Sequence, residues 1–260
     1  MFKSMTFNSS NTSVDREMSI RLETTAAIIA AYLIFCKYLG PWFMKNREPF
    51  SLRIPMLLYN VGQTIMNGYM LYMCYSLLGI GTFNIWTNLC NPITATNMFE
   101  NVTEEVFSVG YIFGLNKLID FTDTVFFILR KKTEQATPAH IYHHALTFGM
   151  IVLMEHLHFF EEVCVKMICL NVTVHVILHL YYLLTVISPS SYQKFRYLKQ
   201  YMTMILILEL VLELTILMRY WVRCQYTTGF IALLLCEFCI LLYLFSDNYR
   251  TTYMKKPKEQ

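Results

Sequence analysis

Charge is what this sequence has least of. Of its 260 residues only 15% are Asp, Glu, Lys or Arg, against 55% hydrophobic residues, and the mean hydropathy is +0.40. A water-facing domain carries about a quarter charged residues, so an ordinary soluble globule is excluded and a polytopic membrane protein is indicated. Nine Gly and seven Pro are too few for collagen-like or linker-like character. Twenty-one Lys and Arg against 18 Asp and Glu leave a formal charge of +3. That excess is too small and too dispersed for a nucleic-acid surface. No stretch offers a second soluble domain, and residues 1–23 lack the apolar run of a cleavable signal peptide.

What the chain does have is apolar runs of about 20 residues, the length that crosses the hydrocarbon core. Seven fit, at about 24–43, 54–80, 106–129, 141–160, 163–187, 201–217 and 229–245. The expected fold is all-α, with seven transmembrane helices in one membrane domain over 24–247. A lumenal segment, 1–23, precedes it and a cytosolic tail, 248–260, follows. Several of these runs carry ionisable groups, which are costly in a bilayer and are by default functional candidates.

Orientation follows from the basic residues. With seven spans, the segments 45–53, 130–139, 188–200 and the tail share one side and hold thirteen Lys and Arg, whereas the opposite side holds five. The positive-inside rule then puts the C-terminus in the cytosol. The sequons at Asn8, Asn11 and Asn101 all fall on the other, lumenal side, where glycosylation occurs. A fourth match at Asn171 lies within a span and is expected to stay unmodified. Cys90 and Cys224 are the two cysteines outside the spans, both lumenal; they can form a disulfide, the alternative being two free thiols. The chain ends Lys256-Pro257-Lys258-Glu259-Gln260, the form of a dilysine retrieval signal, which works only in the cytosol. Together these features favour a multi-pass protein of the endoplasmic reticulum membrane.

All seven histidines lie between positions 140 and 179. His140, His143 and His144 stand at i, i+3 and i+4, one face and one turn of a helix. Such a triple can bind a metal, shuttle protons or offer a neutral imidazole nitrogen as nucleophile; interfacial capping of a span is the structural alternative. The preceding span carries Lys117, Asp120 and Thr124 on one face, where the Lys and Asp can neutralise each other. Asp123 has no partner within its own helix and could orient a histidine. Asn171, His175 and His179 repeat every four residues, followed by Tyr181 and Tyr182, so a polar stripe runs along the fifth span and must meet a cavity or other polar groups. Glu209 and Glu213 on the sixth could reach the same cavity. Glu155, His156 and His158 read as interfacial residues, and Cys236 with Cys239 as small packing residues.

At these residues the chain resembles the ELO family of very-long-chain fatty-acid elongases, from about Tyr38 to Tyr253. Lys117, Asp120, Asp123 and Thr124 meet the family pattern K-x-x-[ED]-x-x-D-T. His140, His143 and His144 meet H-x-x-H-H, and Asn171, His175, Tyr181 and Tyr182 meet N-x-x-x-H-x-x-M-Y-x-Y-Y. Leu39-Gly40-Pro41, Asn46 to Phe50 and Tyr59-Asn60 with Gln63 are similar to the family's amino-terminal region, and Cys90 and Cys224 match family cysteines. The sequence departs where Leu178 and His179 replace Met and Tyr, and where Leu206 and Glu209 stand at glutamine positions of a T-x-x-Q-x-x-Q pattern begun by Thr203.

The resemblance implies decarboxylative condensation of an acyl-CoA with malonyl-CoA to 3-oxoacyl-CoA, CoA and carbon dioxide. No cofactor and no metal are expected. In this reading His143 is the nucleophile, and His175, His140 and His144 position substrates and stabilise developing negative charge. Asp123 and Asn171 hold imidazoles, Lys117, Asp120, Thr124, Tyr181 and Tyr182 support the site, and Lys131, Lys132, Arg196 and Lys199 meet CoA. The seven helices would enclose an acyl tunnel open to the cytosol. Expected partners are the bilayer, the 3-oxoacyl-CoA reductase, dehydratase and enoyl-CoA reductase of the cycle, and a second copy of the chain. Two other readings compete: a di-iron membrane desaturase or hydroxylase, which also uses H-x-x-H-H boxes but needs about eight histidines, and a seven-span receptor or transporter without chemistry.

Overall fold

The computed structural model describes residues 21–78, 86, 102–157, 162–187, 197–224 and 228–254. Asn8, Asn11, Asn101, Cys90, His158, Arg196, Lys256 and Lys258 lie outside the described residues. Among the described residues every regular element is helical. Helix α1 (Leu22–Ile34) passes through a π-helical segment (Phe35–Leu39) into α2 (Gly40–Met44). Then come α3 (Arg53–Leu78), α4 (Val102–Ile119), α5 (Phe121–Leu129), α6 (Pro138–His156), α7 (Glu162–Ile187), α8 (Leu198–Cys224) and α9 (Thr228–Tyr249). Four stretches are long and apolar enough to cross a membrane: Leu22–Met44, Val163–Ile187, Leu198–Cys224 and Gly229–Met254.

Helix α3 shows why its length alone does not make it equally apolar. Ile54, Leu58, Ile65, Tyr69 and Tyr72 point outward and are exposed, while Asn60, Gln63, Asn67, Met70 and Cys74 are buried on the opposite face. A water-soluble helix is the reverse, with its apolar stripe inward. Apolar outside and polar inside is the arrangement lipid requires, since intramembrane polar groups must find partners within the bundle. Here they do: α3 packs along α7 and against α4, α8 pairs with α9, and α6 packs against both α1 and α4.

Local irregularities have chemical causes. Pro41 has no N–H to give to the preceding turn, and the turn before it widens so that the Gly40 N–H reaches the Phe35 carbonyl five residues back. Between α4 and α5 the helical ladder skips at Asp120, where the Asp123 N–H turns back only three residues to the Asp120 carbonyl, 3.1 Å away. The end of α5 is closed by the Lys132 N–H on the Phe127 carbonyl at 2.8 Å and the Lys131 N–H on the Ile128 carbonyl at 3.0 Å. That double closure usually takes glycine at the left-handed position; here Lys131 holds it, with φ 54°. Thr137 begins α6, its side-chain oxygen accepting the His140 N–H at 3.2 Å with Pro138 next in line. Thr-Pro is a strong start signal, and it brings the helix start three residues ahead of the expected 141, so that His140 sits in the first turn.

An apolar cluster of Val163, Ile216, Leu217, Tyr220 and Ile231 closes the bundle where α6 ends, α7 begins, α8 ends and α9 begins. The histidines of α6 lie toward the other end. Cys224, the last residue of α8, is disulfide-bonded, and the remaining described cysteines are reduced thiols.

Candidate active site

Helices α3, α4 and α7 meet around Lys117 and Asp120. Its ammonium lies 3.3 Å from Asp120 Oδ2 and 3.2 Å from His175 Nε2, and both Lys117 and Asp120 are wholly inaccessible to solvent. Gln63 Nε2 donates to the other carboxylate oxygen of Asp120. A lysine ammonium has donors and no acceptor, so His175 Nε2 must offer its lone pair and carry its proton on Nδ1. That Nδ1 faces Asp120 Oδ2 at 3.8 Å. The lysine therefore fixes one tautomer of the imidazole. His179, one turn on, bonds Asn60 through Nδ1 at 3.1 Å, and two turns further along α3 Asn67 accepts from Asn116 at 3.0 Å. Asp120, His175 and His179 bring ligand-type atoms within 4.8 Å of one another. Lys117 is already hydrogen-bonded to two of the three, supplying a positive charge at that point.

The three histidines of α6 form an edge-to-face cluster. The rings of His140 and His144 are 4.3 Å apart, those of His143 and His144 5.3 Å, and His143 rests edge-on against Phe245 at 5.7 Å. His140 Nε2 and His144 Nδ1 are buried without hydrogen-bond partners among the described residues. Unsatisfied buried nitrogens are uncommon and mark places where another group belongs.

Two cavities adjoin this cluster. A wide vestibule of about 1140 Å³ is lined by Arg53, Arg130, Lys131, Lys132 and Lys199, and by His140, Asp123, Tyr181 and Tyr182. Its rim is tied together by Arg53, which donates to the Ile187 carbonyl at 3.1 Å. A narrow inner cavity of about 100 Å³ is lined by His143 and Asn171 among methionines, leucines and phenylalanines, and Leu206 and Phe245 border both spaces. The apolar cluster at the end of α6 floors the inner one. A polyanion can thus sit in the basic vestibule while an apolar chain extends past His143.

The residues singled out in the sequence divide into several sets. Lys117 and Asp120 form the expected pair, whereas Thr124 turns away to bond the Tyr32 hydroxyl at 2.7 Å. The carboxylate beside His175 is Asp120, on the turn between α4 and α5; Asp123 lines the vestibule facing the Tyr59 hydroxyl. Asn171 Nδ2 donates to Glu209 Oε1 at 2.7 Å. The rings of Tyr181 and Tyr182 lie 5.5 Å apart, tilted to one another, beside the vestibule. Glu209 and Glu213 both line the inner cavity, as does Glu155, whose place at the helix end suggested an interface. Glu237 joins them and was not foreseen. Its signal was an acidic residue in the middle of the last apolar run, the same anomaly that marked Glu209.

With this geometry in view, the comparisons with known proteins are specific. The family model described as "ELO: GNS1/SUR4 family" matches residues 18–260, and the chain belongs to the ELO family. It is 32% identical to very long chain fatty acid elongase 1 of Mus musculus over 237 residues, covering 88% of this chain and 81% of that one. It is 31% identical to very long chain fatty acid elongase 4 of Homo sapiens over 244 residues, 90% and 73% of the two chains. Very long chain fatty acid elongase 7 of Drosophila melanogaster is 29% identical over 240 residues, 89% and 69%.

Proposed function

We propose that this protein is a fatty-acid elongase, the condensing enzyme that joins a long-chain acyl-CoA to malonyl-CoA with loss of carbon dioxide. The observation that carries the reading is the meeting of a basic vestibule and an apolar inner cavity at His143 and His140. CoA phosphates suit Arg53, Arg130, Lys131, Lys132 and Lys199. The acyl chain suits the methionine- and phenylalanine-lined space beyond, so the thioester lies between them, beside the histidine cluster.

The chemistry is balanced in two stages. His143 attacks the thioester carbonyl, the bond to sulfur breaks, and CoA leaves as the thiolate with the acyl group held on the imidazole. Malonyl-CoA then loses carbon dioxide, and the enolate so formed attacks the acyl carbon and returns the electron pair to His143. The rings of His140 and His144 lie beside this centre, and an imidazole N–H turned toward it can donate to the developing oxyanion. His175, held through Nε2 by Lys117, is an oriented imidazole on the opposite helix, and Asn171 bridges to Glu209. No cofactor takes part in this scheme.

In this reading seven spans enclose an acyl tunnel floored at its lumenal end and open to the cytosol. The N-terminus is lumenal and the C-terminus cytosolic in the endoplasmic reticulum membrane, beside the reductases and dehydratase that complete the cycle. The test is incubation of the purified protein with labelled malonyl-CoA and a panel of acyl-CoAs. Incorporation is expected in the unaltered protein and is lost in His143→Ala and His175→Ala that still express. Without malonyl-CoA, mass spectrometry of an acyl-CoA-treated sample is expected to find the acyl group on His143. Undiminished incorporation by His143→Ala removes its role, and no incorporation with any acyl-CoA removes the reading.

A further inference from the structure

The amino-terminal span ends in a surface that none of the chemistry above uses. Ile34, Tyr38 and Trp42 follow one another at four-residue spacing down the outside of α1 and α2, and Trp42 is 75% exposed. The stretch long and apolar enough to cross a membrane stops at Met44, and the next charges are Lys45 and Arg47, both exposed. Aliphatic, phenol, indole, cation is the order of chemistry met on leaving a bilayer. That order alone suits any span. What sets this one apart is how Arg47 is held. Its guanidinium carbon lies 3.6 Å from the centroid of the Phe43 ring, and Phe43 is nearly parallel to Phe50, 12° apart with centroids separated by 6.4 Å. A guanidinium held this close over a ring spends no N–H on the contact, so its donors stay free for oxygens. Neither it nor the Lys45 ammonium has a carboxylate or hydrogen-bond partner among the described residues, and Glu48, the one acid between 45 and 53, pairs with neither.

The cations of the neighbouring elements are engaged elsewhere. Arg53 donates to the Ile187 carbonyl at 3.1 Å, Arg130 reaches the Met56 sulfur at 3.1 Å, and Lys131, Lys132 and Lys199 line the vestibule. Lys45 and Arg47 do not line it. Two unpaired cations at the foot of an aromatic, lipid-facing surface fit an anion that arrives on a hydrocarbon chain. We propose that Trp42, Lys45 and Arg47 form a binding site for an anionic phospholipid, with its phosphate on the two cations and its acyl chains along Ile34 and Tyr38. A soluble anion would meet the cations and leave the apolar wall uncovered, and a zwitterionic lipid would bring a cation of its own against them. In the orientation proposed above this is the cytosolic leaflet, where anionic lipids concentrate. Occupancy has a consequence at the vestibule. Phe50 lines it, and its N–H is held by the Leu129 carbonyl at 3.0 Å. A lipid that steadies Arg47 over Phe43 therefore steadies the ring beside it and that part of the vestibule wall. This second step rests on the condensing-enzyme reading; the lipid site does not.

The test places the purified full chain in nanodiscs of phosphatidylcholine with a minor share of phosphatidylserine and reads the retained lipids by native mass spectrometry. The unaltered protein is expected to keep phosphatidylserine about tenfold above its share, a size that two cations near a membrane surface can supply. Lys45→Gln combined with Arg47→Gln is expected to lose that enrichment, and Arg47→Lys, which keeps the charge without the planar fork, to keep part of it. Arg250→Gln removes an exposed cation beyond the end of α9 and is expected to leave the enrichment intact. No enrichment, enrichment that survives the double variant, or an equal loss in Arg250→Gln overturns the site, the last by showing a diffuse field. Kinetics in the same nanodiscs read the effect on the vestibule. With phosphatidylserine present, KM for acyl-CoA is expected to be several-fold higher in the double variant than in the unaltered protein, and without it the two should agree. Equal KM in both membranes overturns the coupling. Absence of condensation in every membrane would instead defeat the condensing reading, and the lipid enrichment then decides the site by itself.

Discussion

Lys117 is the residue on which the site's electrostatics turn. Its ammonium sits between a carboxylate and an imidazole that belong to different helices, in a place no water reaches. Removing one partner of a buried pair is far more damaging than removing both, because the survivor remains charged and unpaired. Lys117→Met is therefore expected to lower stability by about 3–5 kcal/mol, read as a large fall in unfolding temperature in detergent. Lys117→Met combined with Asp120→Leu is expected to recover most of that stability without recovering condensation, since His175 has then lost the donor that fixes its tautomer. A double variant no more stable than the single one would show that the ion pair is not the source of the loss.

At the level of elements, the amino-terminal helix shows how a small residue positions chemistry it never touches. Gly40 lies where a Cβ would meet Ile128 Cγ2 at 2.8 Å and the Phe35 carbonyl oxygen at 3.0 Å. Ile128 also supplies the carbonyl that closes the end of α5, and the next residues are Lys131 and Lys132 at the vestibule. The Phe50 N–H on the Leu129 carbonyl, 3.0 Å away, ties the same corner to the start of α3. Gly40→Val is expected to force α2 and α5 apart, costing about 1–3 kcal/mol as overpacking does. It should also raise KM for acyl-CoA more than it lowers kcat, because the displaced end of α5 carries the basic rim and not the histidines. Steady-state kinetics on the variant would separate the two, and a fall in kcat with unchanged KM would contradict the assigned route. Helix α6 was likewise readable in kind but not in extent: the Thr137-Pro138 start places His140 within the first turn, where an apolar-run criterion begins too late.

The whole molecule divides its labour along one axis, with cations at the vestibule, imidazoles at the junction and carboxylates among hydrocarbon below. Five basic side chains surround the vestibule opening, so a polyanionic substrate should be drawn in by a field that salt weakens. KM for acyl-CoA is expected to rise several-fold as ionic strength goes from about 0.01 to 0.3 M, over which the screening length falls from about 30 Å to well under 10 Å. Kinetics across a salt series would check it, and a flat KM would mean the basic rim plays no part in capture. A detergent control with an uncharged thioester should show no such dependence.

Composition and spacing by themselves determined that the protein is helical and membrane-embedded. They also determined that three imidazoles share a turn of α6, that Lys117 and Asp120 can pair, and that Asn171, His175 and His179 form a stripe. All of these follow from the 3.6-residue repeat or from the scarcity of charge, which are local or global properties of the chain. Only the tertiary structure decided which carboxylate meets which imidazole. Asp120 and Asp123 are three residues apart, and the choice between them depends on how the ladder skips at Asp120 and how α7 is rotated against α3. In the same way, packing of α6 against α4 turned Glu155 into the cavity, and α8 against α7 brought Glu209 to Asn171. Rotation of one helix about its axis relative to another is set by contacts between residues far apart in the sequence, and no periodicity within either helix encodes it.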